Sequence, residues 1–275
     1  MTNLIDDFHK KIIDNYSKAT IKSYIFELQK YEKWLKDFDT NLYDYKRSDV
    51  QQYMDYLATK KLSSATVNRI FQAIKLFSMW MKKSDTTDDI RTPKRKNYNL
   101  EAPESLSLKE RNKLIRDVEK AGNKRDIAIV LTMLYTGIRV SECASLDKDD
   151  LQMSERKGNV LIRHGKGDKE RNIPLHPEVR RAISIYLESR IDNDDALFVS
   201  NRCKRISVRS IQTIFEKYGV NAHKCRHTFI SSLLREGKDV SLIQSLTGHS
   251  SLNMLGRYGK ASEKEKQGAI DTIYS

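Results

Sequence analysis

Hydrophobic side chains recur at three- to four-residue spacing through the N-terminal part of the chain. Three stripes of this kind run over residues 21–35, 50–57 and 67–81. Such spacing collects apolar groups on one face of an α-helix, so it predicts a small bundle of amphipathic helices. Ser63 or Ser64 is the expected N-cap of the last of these helices. We expect the aromatic residues in the stripes to form the core of the bundle.

The apolar periodicity then stops and resumes only about twenty residues later. The intervening stretch is polar and then basic, with Pro93 beside the basic cluster. A segment of this composition is typical of a linker between domains. We therefore divide the chain into an N-terminal helical domain over 1–84, a basic linker over 85–104 and a second domain over 105–275.

The second domain begins with a capping box, Ser107-x-x-Glu110, which marks the start of a helix. The run 126–135 is almost entirely apolar and is followed closely by Gly137. It predicts a buried central helix that ends at a glycine C-cap.

Two short strand-like runs, 159–163 and 171–175, flank the glycine-rich segment 165–169. This arrangement predicts a β-hairpin with Lys166 or Lys169 at its tip. The segment lacks the GxxxxGK[ST] spacing of a phosphate-binding P-loop. The second domain is therefore expected to combine helices with a small antiparallel sheet.

The charge balance narrows the class of partner. The chain carries 50 Lys and Arg against 37 Asp and Glu, a net charge of +13. A basic surplus of this size favours an anionic partner, most often a nucleic acid, although a solvated basic surface would give the same composition.

The cysteines and the hydrophobic runs indicate in which cellular compartment the protein is expected. Cys143, Cys203 and Cys225 are widely spaced and form no CxxC pair, so we expect neither a disulfide framework nor a zinc knuckle. A reducing cytoplasm fits this usage. The N-terminal residues lack the basic and apolar regions of a signal peptide. No apolar run approaches about 18 residues, so no membrane span is expected.

Candidate catalytic side chains are concentrated near the C-terminus, with two further pieces upstream. The set consists of Arg139, Lys166, His223, Arg226, His249 and Tyr258. Two arginines can clamp the oxygens of one phosphodiester, and a tyrosine can attack its phosphorus once the phenol proton is removed. Histidine can relay that proton, and lysine can protonate the leaving oxygen. Such a set can transfer a phosphoryl group without a metal or cofactor.

A metal site is the alternative for His223 and His227, which lie four residues apart. The zincin motif also needs a glutamate after the first histidine, where this chain has Lys224, and Cys225 is expected to face away from both histidines. We therefore expect no metal here. His223 and Arg226 are three apart and are expected to share one helical face.

Taken together, these motifs resemble the tyrosine recombinase family of phage integrases and Xer-type recombinases. The resemblance is carried by Thr136-Gly-Ile-Arg139, Gly165-Lys166-Gly167, His223-x-x-Arg226, Gly248-His249 and Tyr258, nine residues after His249. It implies a mostly α, two-domain fold. The N-terminal domain would be a four-helix core-binding (SAM-like) unit, and the catalytic domain would be α+β with a small antiparallel sheet and a C-terminal tail helix.

The resemblance assigns the central chemical roles. Arg139 and Arg226 would hold the scissile phosphate, and Tyr258 would attack it to form a 3′-phosphotyrosine. Lys166 would be the general acid for the leaving oxygen.

Further roles follow from the same likeness. His223 would assist proton transfer at the tyrosine, and His249 would donate to the phosphorane. Lys169 and Arg171 are expected to contact the DNA backbone. Departures from the commonest pattern, including Cys225, leave open whether the chain is a housekeeping Xer enzyme or belongs to a mobile element.

The implied activity is site-specific recombination of double-stranded DNA through a Holliday junction, on a homotetramer joined by the tail helix over 261–275. Integration, excision and dimer resolution all stay open, as does the need for a second recombinase or an accessory protein. One alternative is relaxation of DNA by a type IB topoisomerase. Another is a non-catalytic DNA-binding factor on the same scaffold, which predicts a missing motif residue; none is missing.

Overall fold

Residues 4–93, 104–154, 156–163 and 170–248 are described by the computed structural model of the chain. The chain divides into two compact units, Met1–Tyr98 and Asn99–Ser275. Among the described residues, no helix has both the length and the hydrophobicity needed to cross a bilayer.

Four α-helices form the described part of the N-terminal unit, as predicted. They are α1 (Leu4–Ile12), α2 (Lys18–Lys36), α3 (Arg47–Thr59) and α4 (Ser64–Trp80), and a short 3₁₀ helix (Ser84–Thr87) follows. Ser63 is the N-cap of α4, where its hydroxyl accepts from the Thr66 amide at 3.1 Å. The apolar stripes meet in a core that includes the fully buried rings of Phe8, Tyr31 and Phe77. The expectation that the aromatic residues of the stripes form the core is confirmed for Tyr31 and Phe77.

The first part of the predicted linker packs against α3 and α4. Arg47 donates to the carbonyls of Asp88 and Asp89 at 2.8 and 3.0 Å. Asn68 donates to the Pro93 carbonyl at 2.9 Å. Polar side chains, rather than an apolar stripe, hold this segment, which is why hydrophobic periodicity did not reveal it. The N-terminal unit thus extends beyond the predicted boundary at residue 84, and residues 94–103 of the linker lie outside the described part of the chain.

The second unit surrounds its core with helices and one small sheet. Its elements are α5 (Leu108–Ala121), α6 (Lys124–Thr136), α7 (Val140–Ser145), β1 (Leu151–Met153), β2 (Gly158–Ile162), β3 (Arg171–Pro174), α8 (Pro177–Glu188), α9 (Val208–Glu216), α10 (Ala222–Arg235) and α11 (Val240–Thr247). Helix α6 is the central one and packs against α5, α8 and α10. The predicted buried helix is thereby confirmed.

Local signals in this unit are also confirmed. Ser107 and Glu110 form the capping box of α5. Gly137 ends α6 in the left-handed conformation, with φ of +62°. Strands β2 and β3 pair antiparallel, with Val160 opposite Ile173, and β1, which was not predicted, adds a third antiparallel strand beside β2. The predicted tail helix lies outside the described residues.

Candidate active site

Arg139 lies at the junction that follows the central helix. After Gly137 reverses the chain, Arg139 is the N-cap of α7 and its backbone amide donates to Glu142 Oε2 at 2.7 Å. Its side-chain Nη1 donates to Glu142 Oε1 at 2.6 Å. Its Nη2 reaches the Gly248 carbonyl at 3.4 Å. Glu142 therefore holds both the backbone and the side chain of Arg139.

Arg226 reaches the same region from α10. Its side chain is buried, and Nη1 donates to the Gly137 carbonyl at 2.8 Å. Nη2 donates to the Thr247 carbonyl at 2.6 Å. One guanidinium therefore joins the end of α6 to the end of α11.

The two arginines converge on neighbouring carbonyls, those of Thr247 and Gly248. These groups close α11, and the last carbonyls of a helix have no intrahelical partner and carry partial negative charge. Cationic donors compensate that charge. Because residue 249 follows directly in the chain, the arginine pair lies beside the attachment point of the segment that carries His249.

A third arginine completes the cluster, and sequence reasoning assigned it wrongly. Arg171 was expected to contact a DNA backbone, but only 7% of its side chain is exposed. Its Nη1 and Nη2 donate to the two oxygens of Glu142 at 3.2 and 2.8 Å, and its Nε donates to the Leu246 carbonyl at 2.9 Å. A signal was present, because strand alternation places residue 171 on the same face as the buried Ile173.

Glu142 is therefore shared by two guanidinium groups. Burial alone would raise the pKa of its carboxyl, but hydrogen bonds from Arg171 and from the Arg139 amide lower that pKa below its ordinary value. The group is a carboxylate at neutral pH, and it holds both arginines in charge-assisted hydrogen bonds.

His223 lies one helical turn from Arg226 but has a different environment. It is exposed and lines a shallow surface cavity of about 360 Å³ with residues of α9, including Arg209 and Glu216. Arg209 and Glu216 form an ion pair at 2.7 Å across that surface. No hydrogen bond within the described part of the chain joins the His223 side chain to the arginine cluster. Cys225 is buried in the core.

The remaining candidates lie outside the described residues. Lys166 belongs to the segment between β2 and β3, and the described part of the chain resumes at residue 170. His249 and Tyr258 follow α11. Over residues 4–93, 104–154, 156–163 and 170–248, no group of three or more His, Cys, Asp or Glu side chains is arranged to hold a metal ion.

Comparison with known proteins identifies the family of both units. The model of the "Phage integrase family" matches residues 104–265, and that of the "Phage integrase, N-terminal SAM-like domain" matches residues 4–88. Tyrosine recombinase XerC of Staphylococcus carnosus is 33% identical over 91% of this chain and 89% of its own length. Tyrosine recombinase XerA of Pyrococcus furiosus is 31% identical over 94% of this chain and 89% of its own.

Solved structures show the same fold. A crystal structure of XerA recombinase covers 99% of this chain and 98% of its own, with 26% identity and a TM-score of 0.55. The XerH site-specific recombinase bound to its difH substrate covers 98% of this chain and 84% of its own, with 20% identity and a TM-score of 0.71.

Proposed function

The chain belongs to the phage integrase family of tyrosine recombinases, and we propose that it breaks and rejoins DNA at a specific site through a 3′-phosphotyrosine intermediate. Membership in this family supports site-specific DNA recombination. The covalent intermediate, the Holliday junction and the roles of individual residues are our proposal.

The observation that carries the proposal is the convergence of Arg139 and Arg226. They come from α7 and α10, yet they donate to the carbonyls of the adjacent residues Gly248 and Thr247. Glu142 fixes the direction of the Arg139 guanidinium. Two guanidinium groups that converge on adjacent residues can bind the non-bridging oxygens of one phosphodiester and stabilise the charge of its phosphorane.

The reaction then needs a nucleophile and a general acid. The Tyr258 oxygen attacks phosphorus, the bond to the 5′-oxygen breaks, and a 3′-phosphotyrosine forms. Lys166 supplies the proton that the departing 5′-oxygen takes up. The 5′-hydroxyl of a partner duplex reverses the step, so the energy of the phosphodiester is conserved and no nucleotide cofactor is consumed.

Two histidines complete the proposed site. His223 assists removal of the phenol proton, and His249 donates to the phosphorane. The exposed position of His223 on α10 leaves it accessible to a group that arrives with the C-terminal segment or with DNA.

The partners follow from the reaction. Exchange between two duplexes requires four active protomers, so we propose a homotetramer on paired double-stranded sites, joined by the tail helix over 261–275. The net charge of +13 suits a polyanionic substrate. The buried thiols of Cys143 and Cys225 suit a reducing compartment such as the cytoplasm.

Covalent capture tests the proposal. The protein is mixed with sheared DNA of its source and denatured in detergent, and the DNA that stays attached to protein is sequenced from its ends. We expect discrete ends that depend on the wild-type residue at position 258. Tyr258→Phe should bind DNA and capture none, whereas Tyr218→Phe, a tyrosine control in the same unit, should capture normally.

Other outcomes would identify the competing functions. Random ends together with relaxation of supercoiled DNA by a monomer would indicate a type IB topoisomerase. Capture that persists in Tyr258→Phe would refute the nucleophile. Binding without capture, also on a nicked substrate that traps the adduct, would indicate a non-catalytic DNA-binding factor.

A further inference from the structure

We propose that Arg171 is a positioning residue of the recombination reaction, one that holds Arg139 and the end of α11 in register without contacting DNA. The proposal rests on the function proposed above and extends it to a side chain outside the set of phosphate-binding and proton-transferring groups.

The orientation of Arg139 depends on Glu142. Glu142 accepts from Nη1 of Arg139 at 2.6 Å and from both terminal nitrogens of Arg171 at 3.2 and 2.8 Å. A carboxylate with one partner could rotate, whereas the forked contact from Arg171 fixes its plane. Arg171 therefore determines the direction in which Glu142 presents its oxygens to Arg139.

Arg171 also contacts the end of α11. Nε of Arg171 donates to the Leu246 carbonyl at 2.9 Å. At Gly248 an added Cβ would lie 3.0 Å from Nη1 of Arg171, and the backbone φ is +64°, so this position favours glycine twice over. The guanidinium is thus packed against the segment that leads into His249.

Arg171 also belongs to the hairpin that β2 and β3 form. Arg171 is the first residue of β3, five residues after Lys166, and its side chain points inward with Ile173. One buried guanidinium therefore links β3 to α7 and α11. In sequence, β3 follows Lys166, the proposed general acid. Arg139, a proposed phosphate-binding residue, is the N-cap of α7, and α11 leads to His249, the proposed donor to the phosphorane.

Lysine cannot replace this guanidinium. Its ammonium group is a single point of donation on a flexible stem, whereas Arg171 uses three nitrogens in a planar arrangement. Arg171→Lys keeps the charge and the approximate length but loses the simultaneous contacts with Glu142 and Leu246.

The chain offers a matched control in Arg190. Its side chain is 5% exposed, pairs with Asp192 and donates to the carbonyls of Ala196 and Leu197. It lies in the same unit, in a buried network that shares no residue with the arginine cluster. Arg190→Lys therefore reports the cost of disturbing a buried arginine network away from the proposed site.

The experiment measures single-turnover cleavage on the DNA site recovered by covalent capture with the wild-type protein. Rates are normalised to the folded fraction of each variant. Arg171→Lys should cleave about 10²-fold more slowly than wild type, the loss typical of a misplaced catalytic group. Its affinity for DNA and the salt dependence of that affinity should stay unchanged, and Arg190→Lys should cleave at the wild-type rate.

A second substrate separates positioning from general structural damage. A methylphosphonate at the cleavage position removes the negative charge that the arginine pair would bind. If Arg171 acts through Arg139, the defect of Arg171→Lys should shrink below about tenfold on this DNA, since arginine positioning then matters less. A structural defect would lower the rate equally on both substrates.

Three results would overturn the inference. Cleavage by Arg171→Lys at the wild-type rate would show that the residue has no part in the reaction. Equal losses on both substrates would assign it a structural role. A weakened, less salt-dependent affinity would make it a DNA contact. Absence of any adduct with wild-type protein would instead refute the proposed function itself, and the inference with it.

Discussion

Gly137, the residue that ends the central helix, provides a quantitative test of the packing around the arginine cluster. Its φ is +62°, and an added Cβ would lie 2.4 Å from Cδ1 and 2.8 Å from Cγ of Phe229. Gly122 ends α5 with φ of +72° and has no atom within 4 Å of the same position. The two glycines share the left-handed conformation and differ in the space around them.

The expected losses of stability follow from this difference. An L-residue in the left-handed region costs about 1–2 kcal/mol, so Gly122→Ala should lose about that much. Overpacking a core adds about 1–3 kcal/mol, because the ring of Phe229 must move. Gly137→Ala should therefore lose about 2–5 kcal/mol, and the difference between the two variants isolates the contact with Phe229.

Urea unfolding measures these values, with two signals that separate the units. Both tryptophans, Trp34 and Trp80, lie in the N-terminal unit, so their fluorescence follows that unit. Far-UV circular dichroism follows the helices of both. Gly137→Ala should lower the urea midpoint of the second unit, which only circular dichroism reports. The urea midpoint measured by fluorescence should stay unchanged.

A compensating change checks the cause. Phe229→Leu in the Gly137→Ala background should recover part of the loss, because the smaller side chain gives way to the new methyl group. Equal losses for Gly137→Ala and Gly122→Ala would refute the reasoning, since the close approach of Phe229 would then have no energetic consequence.

Two further predictions concern buried polar groups. The Tyr31 hydroxyl is buried without a hydrogen-bond partner among the described residues, so Tyr31→Phe should leave the free energy of unfolding unchanged or raise it by about 1 kcal/mol. Tyr45→Phe should lower that free energy by about 1 kcal/mol, because it removes the 2.8 Å hydrogen bond to Ser78. Fluorescence-monitored unfolding measures both, and a clear loss for Tyr31→Phe would contradict the prediction. The hydrogen bonds that lower the pKa of Glu142 stabilise the fold at neutral pH, and their contribution disappears as the pH falls through the pKa of Glu142 in the folded state. Glu142→Gln should therefore lower the free energy of unfolding by on the order of 3 kcal/mol at pH 7. The stability of this variant should also fall less steeply than that of the wild type as the pH is lowered, which urea midpoints measured across pH would reveal.

Local patterns predicted the helices well, for physical reasons. Apolar spacing, the capping box at Ser107 and the glycine after α6 each depend on residues within a few positions of one another. The composition of the segment 85–93 is that of a linker, because its order depends on distant partners. Arg47 and Asn68 bind its backbone carbonyls, and no feature of the segment itself announces those bonds.

The arginine cluster shows the same limit at the proposed site. Arg139 and Glu142 are one helical turn apart, so their pairing could be predicted from spacing alone. Arg171 pairs with a carboxylate 29 positions earlier and a carbonyl 75 positions later, which only the fold brings together. An arginine on the buried face of a short strand is nevertheless an informative signal, because a guanidinium is rarely buried unless it is paired.

That signal also gives a physical reason for the glycine of the Thr247-Gly248-His249 motif. The carbonyls of residues 246, 247 and 248 accept from Arg171, Arg226 and Arg139 respectively. A Cβ at position 248 would meet the Arg171 guanidinium, so the absence of a side chain there leaves room for that group. The glycine thus serves the packing of the arginine cluster, and a substitution there should displace the Arg171 guanidinium.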